Sequence, residues 1–156
     1  MSEVLTEVEG NVLVITINRP EAKNAVNQAV AQGIAAALDR LDAESDLRCA
    51  IITGAGGTFC SGMDLKAFVK GEKPHVEGRG FAGIAQRGSK KPLIAAVDGY
   101  ALAGGMEVAL ACDLIVASAT AQFGIPEAKR GLAAAAGGLI KLPRQIPPRI
   151  AMELAL

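Results

Sequence analysis

The feature that most constrains the fold is a recurring cycle of a short apolar run, a loop and a helical pattern. Residues 49–54 (CAIITG) form a continuous apolar run that ends in glycine, as is typical of a strand buried on both faces of a sheet. Two similar runs, at residues 92–99 (PLIAAVDG) and 113–118 (DLIVAS), lead into further helical patterns. Buried strands of this kind need crossover connections, so the cycle predicts an α/β fold with a partly parallel sheet.

The N-terminal part of the chain predicts two strands and a covering helix. Two β-rich runs flank residues 9–11 (EGN), which have the turn chemistry of a hairpin. After Pro20, apolar residues recur every three or four positions through residues 27–45, as in an amphipathic helix. We therefore expect two antiparallel strands, followed by a helix that covers the sheet.

Size and charge exclude several classes of protein. With 156 residues, 51% of them apolar, the chain is the size of one domain, expected to cover residues 1–156. Lys and Arg number 16, as do Asp and Glu, so there is no net basic field to hold a nucleic acid. The uncharged segment at residues 114–126 has 13 residues, fewer than the ~18 that a membrane-spanning helix needs. We expect no nucleic-acid partner and no membrane span.

The N-terminus and the cysteines indicate the compartment. The segment MSEVLTEVEG is acidic and lacks the positive and apolar regions of a secretory signal. Cys49, Cys60 and Cys112 form no C-x-x-C pair and lie beside apolar or small residues, which predicts reduced and mostly buried thiols. No His, Cys or carboxylate cluster has metal-ligand spacing. The sequence thus predicts a cytoplasmic protein without a metal.

A glycine-rich loop follows the first apolar run, but it matches no known phosphate-binding pattern. In TGAGGTFCSGMDL, Phe59 stands where a dinucleotide-binding motif has its third glycine. Gly57 and Gly62 have the spacing of a P-loop, but Met63 and Asp64 stand where Lys and Ser or Thr should follow. We expect Asp64 to cap the next helix instead, with the backbone N–H groups of Gly62 and Met63 free to face a ligand.

The segment GYALAGGMEVALACD, residues 99–113, has the same construction. A buried strand ends, and Gly104 and Gly105 open a helix that carries Glu107 in its first turn. Glycine lets the backbone approach a ligand closely, and unpaired amides at a helix start point toward negative charge. Ligands in open α/β sheets lie beyond the carboxyl ends of strands, so both glycine loops are expected to face one crevice. Two converging N–H groups are the components of an oxyanion hole.

Glu107 and Glu127 are 20 residues apart, and both lie in apolar surroundings. Two such carboxylates can divide the roles of general acid and general base. A structural role is also open, because Glu107 in the first turn of a helix complements the helix dipole and Pro126 before Glu127 is an ordinary helix opening.

The only histidine, His75, lies in residues 70–80, a segment rich in charge, Gly and Pro. This composition predicts a mobile loop, with His75 at the surface. A serine or cysteine hydrolase needs a histidine near its nucleophile, and the sequence assures none beside Ser61 or Cys60.

Together these residues resemble the crotonase superfamily, the enoyl-CoA hydratases and isomerases. ITINRPEAKNAVN, FCSGMDL, GYALAGGMEVALACDLIVAS and AQFGIPEAKRGL stand in the family's order and at its spacings. The resemblance implies an α/β, crotonase-like spiral of ββα units and an oxyanion hole for a thioester carbonyl, formed by the amides of Met63 and Gly104. It also implies that Glu107 takes a proton from water and that Glu127 delivers a proton to the α-carbon.

The resemblance also implies a coenzyme A site formed largely by backbone groups, with no cofactor beyond the coenzyme A part of the substrate. The residues expected to contact the substrate or its coenzyme A lie in three segments: Ala22, Lys23 and Ala25; Ser61, Gly62, Met63, Asp64 and Leu65; and Gly104 and Gly105. The full-length protein is expected to form a trimer or a dimer of trimers.

Two departures from the family pattern bear on function. The family's Pro-Gly-Ala-Gly-Gly after the second glutamate reads AAAGG here, so Ala134 and Ala135 replace a proline and a glycine beside the expected water site. The chain is also shorter than family members and is expected to lack their C-terminal helical portion, which predicts exposed apolar residues such as Ile150, Met152 and Leu154.

The favoured function is the addition of water to a trans-2-enoyl-CoA. The alternatives are an enoyl-CoA isomerase or acyl-CoA dehydratase of the same family, and a non-catalytic acyl-CoA-binding protein.

Overall fold

The computed structural model describes residues 2–156 as a five-stranded sheet, helices and a set of shorter strands. The strands are β1 (Val4–Glu9), β2 (Val12–Ile17), β3 (Cys49–Gly54), β4 (His75–Val76), β5 (Gly80–Phe81), β6 (Leu93–Val97), β7 (Tyr100–Leu102), β8 (Leu114–Ala117) and β9 (Gln122–Gly124). The helices are α1 (Gln28–Ala43), α2 (Leu65–Val69), α3 (Gly104–Leu110), α4 (Gly138–Gln145) and α5 (Pro148–Ala155). Short 3-10 helices lie at Pro20–Ala22 and Pro126–Arg130.

The main sheet has the strand order β1-β2-β3-β6-β8. β1 and β2 form an antiparallel hairpin, whereas the other neighbouring strands run parallel. In β2, Leu13, Ile15 and Ile17 alternate toward the core and are fully buried, as period-two alternation requires. The predicted α/β fold with a partly parallel sheet is confirmed.

The predicted covering helix is also present, as α1. The Asn27 side chain accepts a hydrogen bond from the Val30 amide at 2.9 Å and so caps the helix N-terminus. Ile34, Leu38 and Leu41 lie on the buried face, and they belong to the same core cluster as the inward side chains of β2.

Three successive turns of the chain repeat the order of main-sheet strand, short pairing segment and helix. After β3, Cys60 forms a parallel bridge with Ala101 in β7, and α2 follows. After β6 come β7 and α3, and after β8 come β9 and the 3-10 helix. β7 and β9 pair in parallel, with Tyr100 opposite Gln122. The stacked turns form the predicted spiral of ββα units.

Residues 70–80 differ from the predicted loop, because they contain β4 and lead into its partner β5. Arg79 is only 2% exposed; its guanidinium forms an ion pair with Asp39 of α1 and donates to the Gly88 carbonyl at 2.8 Å. A buried arginine thus fastens the end of this segment to α1, whereas the mobility of the segment stays a prediction. His75 is exposed, as predicted.

Large apolar side chains are exposed at several places on the surface, among them β8 and α5. In the edge strand β8, Leu114 and Val116 are 60% and 62% exposed. In α5, Ile150 and Met152 are exposed as predicted, whereas Leu154 is partly buried against a small apolar cluster. No helix within residues 2–156 combines the length and apolar character needed to cross a membrane.

Candidate active site

A cavity of about 560 Å³ opens where the predicted site residues meet. Met63, Gly104, Glu107 and Glu127, the four predicted catalytic residues, all line it. The cavity is bounded by the two glycine loops, the β4–β5 hairpin and the segment at residues 126–137. The structure therefore brings both glycine loops to one crevice, as predicted.

Backbone pairing holds the two glycine loops together. The Cys60 amide donates to the Tyr100 carbonyl at 2.9 Å, and the Leu102 amide donates to the Cys60 carbonyl at 3.0 Å. A Cβ atom added to Gly105 would lie 2.1 Å from that Cys60 carbonyl oxygen, and one added to Gly62 would lie 3.1 Å from the Gly104 nitrogen. Glycine is required at both positions because the backbones are in direct contact.

The amides of Met63 and Gly104 are free donors beside the cavity. Within residues 2–156, neither donates a hydrogen bond to another protein group. The Gly62 amide, predicted to be free, instead donates to the Cys60 sulfur at 3.4 Å, so that prediction is corrected. Each loop therefore offers at least one free N–H group beside the cavity, and two such donors could bind one oxygen as an oxyanion hole does.

Ala103 has a strained backbone conformation, and this conformation sets the direction of the second glycine loop. Its φ is 52° and its ψ is −126°, a region that residues with a Cβ rarely adopt. The Ala103 amide donates to the Gly124 carbonyl at 2.8 Å, and its carbonyl accepts from the Glu107 amide at 3.1 Å. These two bonds hold the residue that directly precedes the Gly104 amide.

Glu107 is a buried carboxylate with a fixed position. It is 4% exposed, and its Oε1 accepts a hydrogen bond from the Gly138 amide, at the start of α4, at 2.9 Å. Burial, and to a smaller extent the charge of Glu127, raises the pKa of Glu107 above its ordinary value, although the Gly138 bond opposes the shift. Glu107 is thus held in place, and its carboxylate binds a proton more readily than an exposed glutamate does.

Glu127 is half-buried and less constrained. Its Oε2 is buried without a hydrogen-bond partner among the described residues. Burial raises the pKa of Glu127, which favours the protonated form. Two carboxylates with raised pKa values that share one cavity can serve as base and acid in a single reaction.

The Ala134 and Ala135 departure shapes the wall beside Glu127. Ala134 is buried in an apolar cluster, while Ala135 lines the cavity. The Ala135 amide donates to the Ala133 carbonyl at 2.8 Å, so its N–H is used within its own turn. Glu127 therefore receives no hydrogen bond from this N–H group.

The residues predicted to contact coenzyme A divide into two groups. Ser61, Met63, Leu65 and Gly104 line the cavity, whereas Ala22, Lys23, Ala25, Gly62, Asp64 and Gly105 do not. The first segment lies directly beside the second, because the Ser61 amide donates to the Lys23 carbonyl at 3.0 Å. Their contacts with coenzyme A stay a prediction.

Sequence reasoning missed Phe81, which lines the cavity on β5. A Cβ on Gly104 would lie 2.6 Å from its ring, so the ring packs against that glycine. His75 packs edge-on to the same ring, with centroids 5.7 Å apart. The only sequence signal was an isolated aromatic residue after a charged segment, and the hairpin that places it was not predicted.

Two further features of the surroundings are the state of the cysteine thiols and the placement of possible metal ligands. All three thiols are free; burial raises the pKa of Cys60 and Cys112 to about 12, so both stay neutral. Cys49 is only half-buried. Among residues 2–156, no three His, Cys, Asp or Glu side chains cluster closely enough to hold a metal ion.

Comparison with known proteins agrees with this geometry. The enoyl-CoA hydratase/isomerase family matches residues 7–156. The crystal structure of enoyl-CoA hydratase EchA1 from Mycobacterium marinum superimposes with a TM-score of 0.97 at 62% sequence identity, covering 99% of this chain and 61% of that one.

Two relatives widen the range of named activities. Mevalonyl-coenzyme A hydratase SIDH from Beauveria bassiana is 47% identical over 94% of this chain and 56% of its own length. Enoyl-CoA hydratase EchA19 from Mycobacterium tuberculosis is 43% identical over 99% of this chain and 60% of its own length. The chain thus spans less than two thirds of the length of each relative. The family match, the sequence identity and the shared fold together show that it belongs to the enoyl-CoA hydratase/isomerase family, the crotonase superfamily.

Proposed function

We propose that the protein adds water across the C2=C3 bond of a trans-2-enoyl-CoA thioester. The observation that carries the proposal is the meeting, in one cavity, of two unpartnered amides and two carboxylates with raised pKa values. The proposal includes an acyl-CoA substrate, a cytoplasmic location and a homo-oligomer for the full-length protein.

The thioester oxygen is placed between the amides of Met63 and Gly104. As water attacks C3, electrons move from the double bond to this oxygen, and the two N–H groups stabilise the developing enolate. Removing one donor from such a hole typically costs about 10²- to 10³-fold in kcat.

The two carboxyl groups carry out the proton transfers of the reaction. Glu107, fixed by the Gly138 amide, accepts the proton that the attacking water loses. Protonated Glu127 gives its proton to C2 when the enolate collapses, and its raised pKa keeps that proton available. The net change is one water added, with OH on C3 and H on C2, and a final proton transfer between the two carboxyl groups restores the starting state.

An enoyl-CoA isomerase is the second candidate, favoured by one observation. Glu127 has an unpartnered carboxylate oxygen beside the cavity, and an isomerase needs one such group to move a proton between carbons. The reverse reaction, dehydration of a 3-hydroxyacyl-CoA, uses the same groups as hydration. A binding protein without turnover is the candidate from another class.

The test is incubation of the protein with crotonyl-CoA in ¹⁸O-labelled water. Hydration predicts loss of the enoyl-thioester absorbance and one labelled oxygen at C3, detected by mass spectrometry. Isomerisation of a 3-enoyl-CoA without oxygen uptake supports the second candidate. Coenzyme A binding with neither reaction contradicts an enzymatic role.

A further inference from the structure

We propose that Arg19 is a positioning residue for coenzyme A binding: with Asp64, it holds the segment around Lys23 and the segment around Ser61 in fixed relation. The inference rests on the proposed function, because that function assigns both segments to coenzyme A. Arg19 lies in the motif ITINRPEAKNAVN, but the resemblance assigned it no role.

The Arg19 side chain lies between the two segments and is 13% exposed. Its Nη1 donates to the Ala25 carbonyl at 2.6 Å, and its Nη2 donates to Asp64 Oδ2 at 3.0 Å. Ala25 belongs to the first segment and Asp64 to the second. One guanidinium group therefore joins both sides of the expected coenzyme site.

Asp64 extends this connection to α2. Its Oδ1 accepts from the Ala67 amide at 3.0 Å and caps the helix, while its Oδ2 accepts from Arg19. The Ala67 bond, followed by the bond and the charge of Arg19, lowers the pKa of Asp64, so the carboxylate stays ionised. The helix whose first residue, Leu65, lines the cavity is thus tied to the first segment through one carboxylate.

The turn that Arg19 closes is under backbone strain. Lys23 and Asn24 have φ values of 52° and 55°, in the left-handed region that residues with side chains seldom adopt. The Arg19 amide donates to Asn24 Oδ1 at 2.9 Å, and its side chain binds the carbonyl of Ala25. Arg19 therefore holds this turn through both its backbone and its side chain.

Arginine suits this role better than lysine does. Its planar fork presents separate N–H groups to a carbonyl and a carboxylate at once, whereas an ammonium group is a single point charge. A groove held in its binding shape before the ligand arrives loses less entropy on binding. Loss of Arg19 should therefore weaken coenzyme affinity beyond any effect on folding.

A matched control lies at the amino ends of the parallel strands, before β6. The Lys91 Nζ donates to the carbonyls of Leu41, Glu44 and Leu47 at 2.6, 2.6 and 2.8 Å. Like Arg19, Lys91 joins separate segments through backbone carbonyls, but it precedes β6, whereas the cavity lies beyond the carboxyl ends of the strands. Lys91→Met removes a comparable connection without touching the proposed site.

The experiment is titration calorimetry of free coenzyme A with the unaltered protein and with Arg19→Met, Arg19→Lys, Asp64→Asn and Lys91→Met. We expect Arg19→Met to raise the Kd about ten-fold, with Arg19→Lys in between. Lys91→Met should lower the thermal midpoint yet keep the Kd within about two-fold. The Arg19→Met/Asp64→Asn double variant, measured in the same way, should lose less affinity than the product of the single losses, because both substitutions break one connection.

A Kd for Arg19→Met within about two-fold of the unaltered protein would overturn the inference, as would an equal loss in Lys91→Met. If Arg19→Met does not fold, Arg19→Lys and Asp64→Asn decide by the same criterion. Failure of the unaltered protein to bind coenzyme A also overturns it. If the protein binds coenzyme A but does not hydrate the enoyl-CoA, only the hydratase proposal is contradicted. The Kd values of the Arg19 variants then still test the positioning role.

Discussion

The two walls of the cavity differ sharply in how tightly they are built. The glycine wall, residues 60–63 and 101–107, has no room for a Cβ at Gly105, where one would lie 2.1 Å from a carbonyl oxygen. The alanine wall, residues 126–137, has open space around Gly131, where a Cβ would meet nothing within 4 Å.

The carboxylates follow the same division. Glu107 is buried and bound by the Gly138 amide, whereas Glu127 is half-buried with an unpartnered oxygen among the described residues. A tightly packed wall can hold reacting groups at fixed positions, while a loose wall can adapt to different acyl groups. We therefore expect substitutions that disturb the backbone of the glycine wall to lower both stability and kcat. Substitutions in the alanine wall should change kcat only modestly.

The largest effect is expected from the carboxylates themselves. Glu107→Gln and Glu127→Gln keep the side-chain shape but remove the proton chemistry, so each should lower kcat roughly 10²- to 10⁴-fold. The measurement is the loss of enoyl-thioester absorbance with crotonyl-CoA, and the double variant should lose less than the product of the single losses. Near-full activity in Glu107→Gln would show that the fixed carboxylate is structural.

Gly105→Ala tests the tolerance of the glycine wall. The new Cβ must displace the Cys60 carbonyl, which accepts the Leu102 amide, so unfolding free energy should fall by about 1–3 kcal/mol or more, with a loss of kcat. The control is Gly131→Ala in the alanine wall, where the only cost is that of its φ of 67°, about 1 kcal/mol. Urea denaturation measures both, and equal losses would contradict the comparison.

A third prediction concerns pH. Because the pKa of Glu107 is raised in the folded protein, its carboxylate binds a proton more tightly there than in the unfolded chain. Stability from this group is present below the ordinary pKa of 4.5 and is lost as the pH rises through the raised folded value. Glu107→Gln should therefore gain stability relative to the unaltered protein as the pH rises from about 4 to about 7.

Urea denaturation at these two pH values measures the difference. Glu9→Gln, which changes an exposed carboxylate, should alter stability by less than about 0.5 kcal/mol at either pH. An equal effect of Glu107→Gln at both pH values would mean that burial does not disfavour its charge.

The smallest effect is expected in the alanine wall. We expect Ala135→Gly to relax the turn in which the Ala135 amide binds the Ala133 carbonyl and so to free this N–H for Glu127, which lines the same cavity. One additional hydrogen bond should raise kcat about two- to ten-fold, with Ala133→Gly as the control. A loss of activity in Ala135→Gly would indicate that the alanine is needed where it stands.

Much of the fold could be predicted because its signals are local. The apolar runs of β3, β6 and β8, the spacing in α1 and the Asp64 cap are all visible within a few residues. β7 was not predicted as a strand: Tyr100–Leu102 is only three residues long, and its conformation depends on pairing with Cys60 and β9. The burial of Arg79 depends likewise on Asp39, 40 residues earlier.

The candidate site, like the fold, could be predicted from the sequence only where its signals are local. The local patterns located both carboxylates and the two glycine loops, whereas the pairing of the Met63 and Gly104 amides came from the family resemblance. Which carboxylate is fixed depends on the Gly138 amide, 31 residues beyond Glu107, and the occupied Gly62 amide depends on how the Cys60 sulfur is turned. Such contacts follow from tertiary packing, which no short sequence pattern records.

Ala103 holds a backbone conformation that glycine would adopt without strain, and a non-glycine residue there costs about 1–3 kcal/mol. Selection for stability alone would replace this alanine. A screen that ranks variants by melting temperature should therefore favour Ala103→Gly, while the same exchange gives the loop that carries the Gly104 amide more ways to turn. Heat resistance and catalytic rate would then be optimised by different residues at one position.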